Sequence, residues 1–364
     1  MKTTGSNGLG TLQVIVAAVG ACAAIASVVN TVLPARAGSA GDTAPVQVID
    51  KPDERRVDVL IDGQPFTAYL YPASLEKPVL HPIRSARGTI VTRGFPLDPR
   101  PGERADHPHH VGHWFNFGDV NGYDFWGHSS ATPPERKPKA GSIVHTAITH
   151  VASGEGRGEL TATANWVIPD GTVLLREETR FVFTGGPGRR AIDRTTTWTA
   201  TDRAVTFGDT KEGAFGIRVA RALEHPSKER EVFVNDAGEA ETVPRLDNTG
   251  VTGRYLASDG TAGEAVWGTR GPWMALTGTI EGEPVTLAIL DHPQNHGFPT
   301  YWHARGYGLF AANPFGQHAF DPKQPEAKFT LAPGKSLTFR HRILVIDGTV
   351  TGGAMQKEHQ AFAK

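Results

Sequence analysis

Past its first 37 residues the chain is written in short runs rich in Val, Ile, Thr, Phe and Trp, punctuated by Gly and Pro. That is the pattern of strands joined by turns. Val57–Ile61 meets Gln64–Tyr71 across Asp62-Gly63, a two-residue hairpin signal. Glu159–Ile168 and Thr172–Phe183 flank Pro169-Asp170-Gly171, and Lys328–Leu331 and Ser336–Ile346 flank Ala332-Pro333-Gly334-Lys335. Strict alternation in Thr161–Trp166 and Arg194–Thr199 fits sheets with one wetter face. Helical periodicity is confined to the N-terminal segment and the last dozen residues. The expectation is an all-β protein, a large antiparallel β-sandwich of roughly fifteen or more strands. It occupies residues 52–348, after a linker at 38–51 and before a C-terminal tail at 349–364.

Residues 1–37 read as an export signal. Lys2 precedes an uncharged, mostly apolar stretch from Leu12 to Leu33, and Ala35-Arg36-Ala37 matches a small-x-small cleavage pattern. The stretch is also long enough for an uncleaved membrane anchor. The expected location is periplasmic or secreted, with membrane attachment only through that segment. Removing it takes away one Lys, one Arg and the single Cys, so the remaining body is nearly neutral and cannot form a disulfide. Neither excess nor clustering of basic residues suggests a nucleic-acid partner.

Chemistry concentrates in two windows. Asp106-His107-Pro108-His109-His110-Val111-Gly112-His113-Trp114 opens the first, and Asp291-His292-Pro293, His296, Tyr301-Trp302-His303 and His318 make the second. Imidazole changes charge near neutral pH and binds metals, so such density points to a site, expected on long loops. His107, His109, His110 and His292 could share a metal ion. Without a metal, a histidine paired with a carboxylate can act as general acid or base. Trp126, Tyr301 and Trp302 adjoin histidines and turn residues and could stack on a sugar face, although most aromatics here suit a core. Lys211-Glu212 precedes the strand Ala214–Ala220, in which Arg218 faces opposite to Ile217 and Val219. Glu212 could be a base or half of a surface ion pair, and Asn313 either binds a hydroxyl or caps a turn.

Several long motifs carry a family resemblance. They are Asp106-His107-Pro108-His109-His110-x-Gly112, Gly118-Asp119-Val120-Asn121-Gly122-x-Asp124-Phe125-Trp126, Lys211-Glu212-Gly213-x-Phe215-Gly216-Ile217-Arg218, Asp291-His292-Pro293, and Pro299 to Phe315. From Pro52 to Asp347 the chain resembles the bacterial family labelled methane oxygenase PmoA, or PmoA family protein. His113 stands where the resemblance implies an apolar residue and is set aside. The label implies a metal-dependent oxygenase. The architecture is similar to the large sandwiches of the mutarotase and polysaccharide-lyase kind, which implies sugar binding across one sheet.

The resulting expectation is an exported carbohydrate-active enzyme, a hydrolase, lyase or epimerase acting on a small-molecule sugar or glycan. His110 and His303 are the expected acid and base, with Glu212 or Asp291 as carboxylate partner. His107, His109, His292, Lys211, Arg218, Trp126, Tyr301, Trp302 and Asn313 are the expected substrate contacts. A divalent metal is compatible with this set but not required. Two alternatives stand beside it: a non-catalytic sugar-binding sandwich, and a His-ligated metalloenzyme including the oxygenase of the family label.

Overall fold

A computed structural model describes residues 44–229, 231–243 and 247–364, so the N-terminal segment read as a signal lies outside the described residues. The described chain contains 21 strands, most of them in two large antiparallel sheets. One sheet has nine strands. Its ordered half runs Tyr301–Ala304, Leu309–Asn313, Gly213–Arg218 and His113–Phe117, and Val79–Leu80 connects these to Gln64–Leu70, Arg56–Ile61 and Pro45–Lys51. The other has eight strands, with Glu283–Asp291, Ser336–Asp347, Arg189–Ala200 and Val173–Gly186 at its centre. The protein is a large antiparallel β-sandwich.

Turn chemistry explains the local pairings. Asp62 and Gly63 both adopt positive φ, 55° and 70°, as the tight turn between Arg56–Ile61 and Gln64–Leu70 requires. Gly158–Val167 and Val173–Gly186 pair around Asp170-Gly171 as the turn residues indicate. The third turn behaves differently. Phe329–Leu331 pairs with Val205–Phe207, while Ser336–Asp347 joins the eight-stranded sheet, so the two runs flanking Ala332–Lys335 do not pair with each other.

The core lies between the sheets. Phe115, Phe215, Ile217 and Trp302 point inward from the nine-stranded sheet and meet Trp166, Trp198, Phe339 and Ile343. Phe115 stacks on Trp198 with ring centroids 4.7 Å apart, and Trp198 meets Trp166 edge-on at 4.9 Å. The outer face of the eight-stranded sheet is covered by the helix Gly352–Phe362, whose Met355 packs on Trp273, Leu290 and Leu344. Thr351 caps that helix, its hydroxyl accepting from the Ala354 amide. Among the described residues no helix is long and apolar enough to cross a membrane.

One charged cluster is sealed in the interior. Glu177 accepts hydrogen bonds from the indole N–H of Trp166 (2.8 Å) and Trp198 (3.1 Å) and pairs with Arg194 at 3.2 Å. Arg194 in turn donates to His113 Nε2, and His113 Nδ1 lies 2.9 Å from the Gly216 carbonyl. His113 is therefore part of the sandwich interior. Replacing Glu177 with Ala leaves a buried guanidinium and two indole donors without their acceptor. The expected loss is about 3–5 kcal/mol of stability, measured by denaturant unfolding of the variant against the parent.

Candidate functional site

Pairing across the sheet puts alternate residues on one face. His303 lies opposite Ala311, Ala311 opposite Gly216, and Gly216 opposite Trp114. This row faces away from the core. Its two middle members are small, and a Cβ on Gly216 would come 2.6 Å from the Trp114 ring, so Trp114 lies down over the glycine. Above the row is a cleft of about 690 Å³ lined by His107, His109, His110, Trp126, Glu212 and His303, among others. Lys211 and Tyr307 also border it.

The segment carrying the first histidines is held from below by buried charge. Arg93, 1% exposed, donates to four backbone carbonyls, those of Arg104, Asp106, His107 and His110, and to the Asp106 carboxylate. Arg218, wholly buried, donates to the same carboxylate oxygen at 2.5 Å. Lys77 donates to the His109 carbonyl at 2.8 Å. Gly112 ends the segment at φ 54°, where a Cβ would sit 2.2 Å from the Leu80 carbonyl oxygen. His107 itself adopts φ 42°, a left-handed conformation that costs energy and persists only where its surroundings impose it.

These contacts settle the tautomers. Burial pushes the Asp106 carboxyl up, but Arg218, His107 and Arg93 outweigh it and hold the group well below the usual carboxylate range. As a carboxylate it only accepts, so His107 Nδ1, 2.8 Å away, donates to it, and Nε2 carries the free lone pair. The side chain is 42% exposed and opens to the cleft. His110 is the opposite case. Arg218 has no acceptor, so its Nη1, 3.2 Å from His110 Nδ1, must be donating. The His110 proton then sits on Nε2, which has no protein partner. Burial, reinforced by His109 and Arg218, keeps the imidazole neutral, well below its ordinary pKa.

His107 stacks between Tyr307 at 5.2 Å and His110 at 4.9 Å, and His110 stacks on Trp114 at 5.0 Å. The column fixes both rings. Among the other cleft residues, Trp126 Nε1, His225 Nε2, Trp267 Nε1 and His303 Nδ1 are buried and lack protein hydrogen-bond partners. Buried polar groups are ordinarily satisfied, so unpartnered ones in a cleft suit a ligand rich in hydroxyls. Burial, with Arg305 and Lys211, lowers His303 to about 3, and burial with Lys77 lowers His109 to about 2.

The cleft therefore brings together His107, His109, His110, His303, Glu212, Lys211 and Trp126, with Arg218 directly behind His110. Glu212 is ion-paired with Lys211. Four expected participants stand elsewhere, and a fifth acts indirectly. Asp291 ends a strand of the other sheet, where its carboxylate accepts from Asn295 Nδ2 and the Thr300 amide. His292 accepts from the Gln294 amide and packs against Phe362. Trp302 points into the core, and Tyr301 is sandwiched between Phe320 and Arg270, so neither offers a free ring face. Trp126 is buried as well, and contributes its N–H rather than a stacking surface. Asn313 donates to the Thr210 and Lys211 carbonyls, so it positions the Lys211-Glu212 segment. His303 lies on the strand Tyr301–Ala304 rather than on a loop, because all four residues are buried and no alternation marks them.

With His292 apart, the four-histidine metal set does not gather. No group of three or more His, Cys, Asp or Glu among the described residues is placed to hold a metal ion. Arg93 and Lys77 complete the site without any sequence motif of their own; Tyr307 also completes it, and lies within the motif from Pro299 to Phe315 without being among the expected contacts. Only the adjacency of Asp106 to His107 could have signalled the dyad.

The fold and site define a β-sandwich with a polar histidine–arginine cleft on the outer face of one sheet. Residues 56–360 match the model of a family of unknown function, DUF6807, and the chain belongs to that family. No curated protein matches it. Among solved structures it is similar to an α-galactosidase from Geobacillus stearothermophilus, with 11% identity over 83% of this chain and TM-score 0.38. The chain spans 41% of that protein's length. It is also similar to a galactose mutarotase-like protein from Clostridium acetobutylicum, with 8% identity, 84% and 99% of the two chains covered, and TM-score 0.38. A galactose 1-epimerase from Lactobacillus acidophilus shows 10% identity, the same coverage of this chain, 99% of its own, and TM-score 0.33. Likeness this distant leaves the cleft to be read from its own geometry.

The buried imidazoles give the fold a pH dependence. His109, His303 and His341 are held neutral, the last lowered to about 3 by burial and Arg194. Below about pH 6.5 the unfolded chain binds protons at these rings and the folded chain does not, so acid favours unfolding. Asp291 works the other way, because burial raises its carboxyl to about 7 and the folded protein keeps that proton. Burial also lowers His81, His110 and His113 and raises Glu224, so the lowered imidazoles outnumber the raised carboxyls. The unfolding free energy should fall as pH drops from 7 to 4, and His303→Gln should flatten that slope in urea titrations at several pH values.

Proposed function

We propose that the cleft is the active site of an enzyme that binds a sugar or glycoside and moves a proton on it, as a hydrolase, lyase or epimerase does. One observation carries the reading. A carboxylate-held imidazole, His107, leaves its Nε2 free in the same cleft in which a second imidazole, His110, is locked as a neutral N–H donor. Neighbouring imidazoles whose partners fix opposite tautomers supply one accepting and one donating nitrogen, the pair that acid–base chemistry needs.

In this reading His107 Nε2 takes a proton from a substrate hydroxyl or from a C–H beside a carbonyl. The positive charge that forms on the ring is stabilised by Asp106, which stays ionised between Arg93 and Arg218. The His110 and Trp126 N–H groups donate to substrate oxygens, and His110 sits where it can stabilise an oxygen that gains negative charge. His107 then returns its proton to the product, which balances the step. Arg218 acts through His110 and Asp106 rather than on the substrate. The reading requires no metal, and draws nothing from the oxygenase activity that the methane oxygenase label implies. Export to the periplasm or medium, read from residues 1–37, belongs to the same proposal, since it would place the cleft among extracellular sugars.

The test is a panel of neutral and acidic mono- and disaccharides, followed by NMR in D₂O for binding, bond cleavage and solvent exchange at carbon. On the sugar that turns over, His107→Gln and Asp106→Asn should each lower kcat by about 10²–10⁴-fold, with binding retained by His107→Gln. Saturable binding without turnover would make the protein a sugar-binding sandwich instead. Undiminished turnover in His107→Gln would remove His107 as the base.

A further inference from the structure

A second cavity of about 390 Å³ opens beside the cleft. His109, Asp124, Gly127 and Arg136 border both spaces, so the two adjoin at these residues. Gly127 packs closely on the Asp124 side chain at this junction. A Cβ at that position would lie 2.6 Å from Asp124 Oδ2, and Asp124 cannot yield freely because its Oδ1 accepts from the Trp126 and Gly127 amides.

The outer wall of the second cavity is the segment from His128 to Ala140, and it is held by hydrogen bonds within the chain. The Asp124 amide donates to the Lys139 carbonyl at 2.7 Å, and the Gly141 amide returns to the Asp124 carbonyl at 2.9 Å. The Ser129 amide donates to Thr132 Oγ1, and His128 Nδ1 lies 3.1 Å from the Gly141 carbonyl. Pro133, Pro134 and Pro138 restrict the backbone between those anchors. Its polar lining includes His128, Ser129 and Thr132, while Pro108, Ala131 and Pro133 supply apolar surface. Hydroxyls beside small apolar patches match the two kinds of surface that a sugar ring presents.

We infer that the substrate is a glycoside of at least two linked sugar rings, one over the histidine cleft and the next beyond Gly127 in the cavity behind His109. The inference rests on the sugar-directed reading of the cleft and extends it to the length of the ligand. Ligand sites of about 300–1,000 Å³ hold molecules of drug size. The cleft alone exceeds the needs of one hexose ring, and the second cavity adds a compartment of its own. Acid–base chemistry at His107 would then act on one ring while the distal ring supplies binding energy and fixes register.

The experiment compares glucose, galactose and glucuronate with cellobiose, lactose and maltose by calorimetry, using the parent protein and Ala131→Trp. Ala131 is exposed on the wall of the second cavity and is not among the residues lining the cleft, so an indole there occupies the second space without removing a cleft group. The inference expects a disaccharide to bind at least tenfold more tightly than its constituent monosaccharide. Ala131→Trp should abolish that gain, leaving monosaccharide affinity and the unfolding midpoint unchanged. Equal affinity for monosaccharide and disaccharide would overturn the second compartment while sparing the cleft reading, as would an equal loss of both in the variant. Absence of binding by every sugar would overturn the cleft reading and this inference together.

Discussion

The site depends on one partly buried anion shared by two buried cations. Asp106 takes hydrogen bonds from Arg93 and Arg218 on one oxygen and faces His107 with the other. Arg93 Nη1 and Nη2 also donate to carbonyls of the surrounding loop, so the charge that orients His107 also fixes the path of residues 104–110. Arg218 Nη1 donates to His110 Nδ1. A single cluster thereby sets the loop backbone, the tautomer of the base candidate and the tautomer of the neutral donor. Buried ion pairs are weak as sources of stability, and their firmest use is to specify one arrangement over others. Here the specified arrangement is two adjacent, stacked imidazoles with opposite proton placement.

The sheet supplies the space into which these groups point. Trp114, Gly216, Ala311 and His303 form one row across four neighbouring strands on the outward face, and the small central pair keeps that row low. One residue along, Phe115, Phe215, Ala312 and Trp302 form the inward row and belong to the core. A register slip of one residue would exchange these rows, burying His303 in the sandwich and turning Trp302 outward. The core aromatics, by filling the inner face, thus hold the polar groups of the outer face in place.

How much of this was legible in the chain follows the range of each interaction. Alternation and turn residues act locally, so the strands around Asp62-Gly63 and Asp170-Gly171 could be read directly. Pairing is not local, and nothing near Phe329–Leu331 marks Val205–Phe207 as its partner. Histidine density pointed to the first window because four imidazoles in seven residues are rare by composition. Asp291-His292-Pro293 has much the same local chemistry, yet its polar atoms are spent on neighbouring residues such as Asn295, Thr300 and Gln294. Identical side chains became site or scaffold according to tertiary position. Arg93 left no trace in the sequence, since it works through backbone carbonyls more than ten residues away.

The central claim is that His107 and His110 hold their protons on opposite nitrogens. Histidine-selective ¹⁵N NMR of the folded protein across pH 5–8 reads this directly, with His107→Gln and His110→Gln assigning the signals. The account predicts a neutral His110 with its proton on Nε2 throughout that range, and a neutral form of His107 with its proton on Nδ1. A His110 that becomes protonated within the range, or that carries its proton on Nδ1, would contradict it.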